Sequence, residues 1–201
     1  MDTGHLIVGL GNPGAQYRGT RHNAGFLVVE ALATRWKVAW TDEKKFSARV
    51  AQVRRNGRPV WLCQPQTFMN LSGEAVGAMM SFYQLPLAQL LVVVDDADLP
   101  LGGLRLRPSG SSGGHHGLES LEQRLGKQQT ARLRVGIGRV DGVREISNYV
   151  LGKFAADEQI LLDKVLTVAV EQAECWLDAG IAKAMNQYNG VVSSGNENIK
   201  K

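Results

Sequence analysis

The chain has 201 residues, 44% of them hydrophobic, enough for one sizeable core and a squeeze for two. It contains no run of about 18 apolar residues and no basic segment followed by an apolar, cleavable one, so the expectation is a cytoplasmic protein, and a monomer needs no added assumption. The net charge of +4 is modest, but residues 157 to 178 hold six acids against Lys164 alone, a local −5 that leaves about +9 for the rest, which favours a polyanionic partner.

In chain order, Leu6 to Leu10 reads as a buried strand and is followed by Gly9-x-Gly11-x-x-Gly14, the spelling of a dinucleotide-binding turn. The context contradicts that reading. A helix must open at the third glycine, yet Gly19 and Gly25 punctuate the next stretch, and the first amphipathic run is Phe26 to Trp36. The acid nearest the required spacing, Glu30, lies inside that run rather than at the end of a second strand.

Phe46 to Val53 alternates like a strand, and Asn56-Gly57 turns it back into Val60 to Gln64 as a hairpin. Ser72 to Tyr83 is a helix with Glu74 in its first turn, and Leu90 to Val94 is a continuous apolar run ending at Asp95-Asp96, as in a central strand. Leu104 to Arg107 and Leu133 to Ile137 are further strands around a helix, Leu118 to Leu125, that ends at Gly126. The segment Asp141 to Asn148 is turn-rich and polar and reads as a rim, Asp157 to Ala179 is a long helix, and a frayed polar tail begins at Asn189. The predicted fold is a single-domain α/β sandwich, a central mixed sheet flanked by helices, with the domain over residues 1–190 and a disordered tail over 191–201.

In such sheets chemistry collects where loops leave the carboxyl ends of strands. The loops after Leu10, Gln64, Val94 and Arg107 carry Asn12, Tyr17 and His22; Phe68 and Asn70; Asp95, Asp96 and Asp98; and His115 and His116. Together they can build a site with an imidazole, a carboxylate and several amides. His115-His116 suggests a metal pair, but adjacent side chains project differently and no third ligand stands at motif spacing, so no metal is expected. Cys63 and Cys175 are distant from each other and read as structural thiols, Cys63 within an alternating core strand. Ser109 to Gly114 never spells a nucleophile elbow. An imidazole that activates water is the simpler chemistry, suited to an ester more than to an amide, with no cofactor. Arg105 and Arg107 alternate on one strand, and Arg132 and Arg134 on another, which offers a basic face for phosphates.

The motifs GLGNPG at 9–14, TRHNAG at 20–25, TFMNLSG at 67–73, DDADLP at 95–100, GSSGGHHGL at 110–118 and RLRVGIGR at 132–139, in this order, closely resemble bacterial peptidyl-tRNA hydrolases over roughly residues 4 to 190. The resemblance implies hydrolysis of the ester between a peptide and the 3′ ribose of tRNA. It implies His22 as general base, Asp95 as its carboxylate partner, Asn70 as the residue positioning water and the peptide main chain, and Asn12 as the residue that separates acylated nitrogens from free amines. Tyr17 and Phe68 match positions near the 3′ end of tRNA. One departure stands out: His116 occupies a place where the family commonly has an asparagine that binds the tRNA end, so an active enzyme with a retuned pH profile is expected. A non-catalytic RNA-binding protein on the same fold is the rival reading, and a peptidase or amidase a more distant one.

Overall fold

The computed structural model describes residues 4–126, 130–138 and 146–193. Eight strands form one mixed sheet: β1 (His5–Gly9), β2 (Thr41–Glu43), β3 (Ala48–Arg55), β4 (Arg58–Pro65), β5 (Leu90–Asp96), β6 (Gly103–Arg107), β7 (Ala131–Gly136) and β8 (Gly190–Val191), in the order β2-β3-β4-β1-β5-β7-β6-β8. β1 runs parallel to β4 and β5, and β5 parallel to β7, whereas β2/β3, β3/β4, β6/β7 and β6/β8 are antiparallel. The β3–β4 hairpin turns at Asn56 (φ 50°) and Gly57 (φ 78°), the two left-handed residues that a tight hairpin turn matching strand twist requires.

Helices cover both faces. Ile7, Leu91, Val93 and Leu133 pack with α1 (Ala24–Trp36), α5 (Ala156–Ala179) and α6 (Ile181–Tyr188). Leu6, Val8, Cys63, Val92 and Val94 pack with α2 (Ser72–Phe82) and α3 (His116–Leu125). Alternate residues of β1 and β5 thus enter opposite layers, as the period of two demands, and their unbroken apolar runs reflect burial on both faces. A short helix, α4 (Ile146–Val150), precedes α5.

Two expectations are corrected. The tail is not frayed from Asn189: that side chain accepts from Leu106 N–H (2.7 Å) and donates to Leu106 C=O (3.1 Å), Val191 pairs with Gly103, and Val192 is buried. Residues 194–201 of the expected tail, residues 141–145 of the expected rim, and Arg139 of the last motif lie outside the described residues. The loop after Arg107 does not leave the sheet on the same edge as the other three, because β6 is antiparallel to β7 and Arg107 stands opposite Arg132, at the start of β7. The 108–115 segment instead returns along the sheet face to the carboxyl end of β5.

Candidate active site

Two close backbone approaches set the site. Leu10 N–H donates to Val93 C=O (2.9 Å), and a Cβ on Gly25 would stand only 2.5 to 2.6 Å from Leu10 N and O, so the first turn of α1 rests directly on the ends of β1 and β5. The turn Arg21–Asn23, just before that helix, therefore delivers His22 onto the end of β5, where Asp95 lies.

His22 Nδ1 is 3.0 and 3.1 Å from the two oxygens of Asp95. A nitrogen facing both oxygens of an ionised carboxylate must carry the proton, so the neutral ring keeps its lone pair on Nε2, the atom a general base uses. The second histidine at this carboxylate is His115. Its Nδ1 accepts from the amides of Gly117 (3.2 Å) and Leu118 (3.4 Å), capping α3, so Nε2 carries the hydrogen and donates to Asp95 Oδ1 (3.0 Å). Burial alone would push the Asp95 carboxyl up; the two imidazoles, His115 foremost, outweigh it and hold it well below the usual carboxylate range.

His22, Asp95 and His115 also form the one trio among the described residues with the spacing of a metal site, donor atoms within 4.8 Å of one another. The donors fit poorly. With Nδ1 of His115 spent on the helix amides, its Nε2 can ligate only if the cap breaks or the ring loses both protons.

The amides are oriented with equal economy. Asn12 Oδ1 accepts from Met69 N–H (2.8 Å), which fixes the carboxamide and leaves Nδ2 with its two hydrogens for the cavity. Asn23 holds the Asn12 main chain from both sides, accepting from its N–H (2.9 Å) and donating to its C=O (3.0 Å). Asn70 is exposed on the rim, and its side chain makes no hydrogen bond to a described residue. These groups open into a cavity of about 490 Å³ that Phe68, Val150, Leu151, His116 and Arg134 also line.

Sequence-predicted positions divide accordingly. His22, Asp95, Asn12, Asn70, Phe68, His116 and Arg134 meet at the cavity, whereas Tyr17, on the turn Ala15–Tyr17, is half-buried and outside its lining. His115 and His116 do project apart: His116 is 73% exposed and faces Glu119 (3.1 Å). The four arginines share one sheet face, Arg105 opposite Arg134 and Arg107 opposite Arg132. They are not equivalent. Arg105 and Arg107 are exposed, and Arg134 pairs with Asp96 (2.8 Å). Arg132 is only 3% exposed under the returning 108–115 loop and donates to Ser111 C=O (2.9 Å) and Thr130 C=O (3.2 Å), so it braces that loop. Sequence reasoning gave no role to His115, Asn23 or Arg21; the first two hold Asp95 and Asn12, and Arg21, next to His22 in the chain, packs against Tyr149 and Phe154.

The comparisons with known proteins agree with this geometry. The peptidyl-tRNA hydrolase family model matches residues 6–198. The chain is 50% identical over 184 residues to the peptidyl-tRNA hydrolase of Gloeobacter violaceus, covering 92% of this chain and 93% of that one, and 42% identical over 186 residues to that of Brevibacillus brevis, covering 92% and 98%. A crystal structure of peptidyl-tRNA hydrolase from Acinetobacter baumannii superposes with a TM-score of 0.88 at 37% identity, covering 95% of this chain and 97% of that one. With this fold, this cavity and these relatives, the chain belongs to the peptidyl-tRNA hydrolase family.

Proposed function

We propose that this chain hydrolyses peptidyl-tRNA with His22 as general base. The observation that carries the assignment of roles is the His22 Nδ1 contact with both oxygens of Asp95, inside a cavity that Asn12 and Asn70 share. A water at Nε2 of His22 loses a proton to the ring as its oxygen attacks the ester carbonyl carbon. Asp95 stabilises the imidazolium that forms without taking its proton, and Nδ2 of Asn12 donates to the developing oxyanion. When the tetrahedral intermediate collapses, the bond between carbonyl carbon and 3′ oxygen breaks, and the imidazolium returns the proton to the ribose oxygen. The products are the peptide acid and tRNA. General-base assistance of this kind is worth about 10²–10⁴-fold.

An acylated nitrogen is neutral and can donate its N–H to the remaining lone pair of Asn12 Oδ1, whereas a free α-ammonium must be desolvated, which supports selection of blocked ends. Phe68, exposed at the cavity mouth, offers a face for an unpaired base, and Asn70 has both amide groups open for water or the peptide main chain. His116 stands at the same mouth, paired with Glu119, where a contact to the tRNA end is open to it. The acceptor stem would lie toward Arg105 and Arg107. No helix among the described residues is long and apolar enough to cross a membrane; a cytoplasmic monomer is the setting we propose.

The test compares release of tRNA from N-acetyl-aminoacyl-tRNA and from free aminoacyl-tRNA by the wild type and by His22→Ala, in chelator-treated buffer. The expected result is rapid turnover of the blocked substrate alone, reduced by at least about 10²-fold in the variant. Tight tRNA binding without turnover by the wild type would overturn the catalytic reading and favour a non-catalytic RNA-binding protein.

A further inference from the structure

We propose that Arg21 is a positioning residue for the reaction: its guanidinium clasps the apolar cavity wall at Val150 and Leu151 to the turn that carries His22. Val150 and Leu151 belong to a segment 130 residues away in sequence, and something must hold that segment at a fixed distance from the base.

Main-chain ties begin the job. Arg21 N–H donates to Gly152 C=O (2.9 Å), and Thr20 forms an isolated antiparallel bridge with Lys153. The side chain completes it. Arg21 Nη2 lies 2.7 Å from Glu158 Oε2, at the start of α5, and Nη1 donates to Ile137 C=O (3.3 Å), just past β7. The guanidinium carbon sits 4.7 Å from the Tyr149 ring centre and 4.9 Å from that of Phe154, so the two aromatics bracketing the wall both meet the same cation. Tyr149 in turn donates its hydroxyl to Ile137 C=O (2.8 Å), and Ile137 N–H donates to Asp96 C=O (3.0 Å), next to Asp95. One side chain therefore meets the two aromatics that flank the cavity wall, the head of α5 and the main chain just past β7, the strand beside β5, while its own backbone adjoins His22.

The chemistry suits no other residue type. A lysine is a point charge that cannot present two fork donors and a flat stacking face together. The ion pair is partly buried, with the Arg21 side chain 9% and the Glu158 side chain 23% exposed, and stability alone is a weak reason for such a pair, since apolar packing of equal volume often serves as well. Directionality is what the fork adds. Neither Arg21, Tyr149, Phe154 nor Glu158 lines the cavity, so the arginine acts through the neighbours it places.

The activity readout rests on the peptidyl-tRNA hydrolase reading; a second readout does not. For Arg21→Ala and Arg21→Lys, kcat and KM per folded molecule are measured with N-acetyl-aminoacyl-tRNA, with and without millimolar methylguanidinium, alongside amide hydrogen exchange. We expect KM to rise and kcat to fall, together by about 10²-fold in kcat/KM, because a displacement near 1 Å is enough for that. Methylguanidinium should restore much of the loss in Arg21→Ala, lysine should restore little, and exchange should quicken in residues 148–154 while the sheet and α1 keep their protection. Kinetic constants at wild-type level in both variants, or a loss that guanidinium leaves untouched with protection falling evenly through the sheet, would overturn the proposal. If the wild type proves inactive, the exchange pattern still decides it, and the failure belongs to the functional reading.

Discussion

Asp95 concentrates the chemistry of the site in one buried carboxylate. Because its pKa is depressed in the folded state, ionisation stabilises the protein above the unfolded value of about 3.9, and that stabilisation is lost as the pH falls through the folded value. Asp95→Asn keeps the shape but offers one acceptor oxygen where His22 and His115 need two directions of acceptance, and it removes the charge facing the imidazolium. We expect kcat to fall by about 10²–10⁴-fold and the decline in stability between pH 5 and 3, followed by urea unfolding, to become shallower than in the wild type. Parallel stability curves in the two proteins would mean that Asp95 carries no such linkage. The meeting of His22, Asn12 and Asn70 at one cavity was legible at this scale because motif order placed them. His115 was not, since helix caps are sought among Ser, Thr, Asp and Asn, and nothing in a His-His pair tells which ring turns inward. Nor was Arg21, whose partners lie 116 to 137 residues further along the chain.

At the scale of elements, β1, β3 to β7, α1, α2, α3 and α5 were readable within about two residues because each carries its period or an uninterrupted apolar run, whereas the short edge strands β2 and β8 were not. What escaped depended on neighbours. Gly180 separates α6 from α5 and hides a short helix after a long one, and Asn189 reads as polar tail although its amide replaces a strand partner for Leu106. The returning 108–115 loop escaped for a similar reason, because strand direction in a mixed sheet is not written in the strand itself. The contact of α1 with the sheet yields a sharper expectation. A methyl on Gly25 would press on backbone atoms of Leu10 and Val93, which cannot rotate away, so α1 and the His22 turn must lift together. Gly25→Ala should cost about 2–4 kcal/mol in urea unfolding with an unchanged slope. It should also lower kcat of the molecules that remain folded. A loss of stability with full activity per folded molecule would show that the helix start does not set the His22 position.

For the whole molecule, charge placement matters more than the total. The acids of α5 do not form a bare repelling face: Glu158 meets Arg21, while Glu174 meets Arg35 and Arg55 and Asp178 also meets Arg55, which leaves the basic surplus elsewhere. Beside the cavity that surplus is graded by exposure. Arg105 and Arg107 point outward from β6, Arg134 is half-occupied by Asp96, and Arg132 is enclosed. If the acceptor stem lies on this face, each phosphate contact releases counterions and contributes about 0.9 to the slope of log affinity against log salt. Arg105→Gln and Arg107→Gln should each flatten the slope for tRNA by up to that amount and leave thermal unfolding within about 0.5 kcal/mol of the wild type. Arg132→Gln should do the reverse, loosening the 108–115 loop and with it the cap on α3, so that stability and kcat fall while the salt slope holds. Titrations of tRNA binding over a range of salt concentrations, beside unfolding curves for the three variants, separate the two kinds of arginine. An unchanged slope in both Arg105→Gln and Arg107→Gln would move the phosphate contacts off this face.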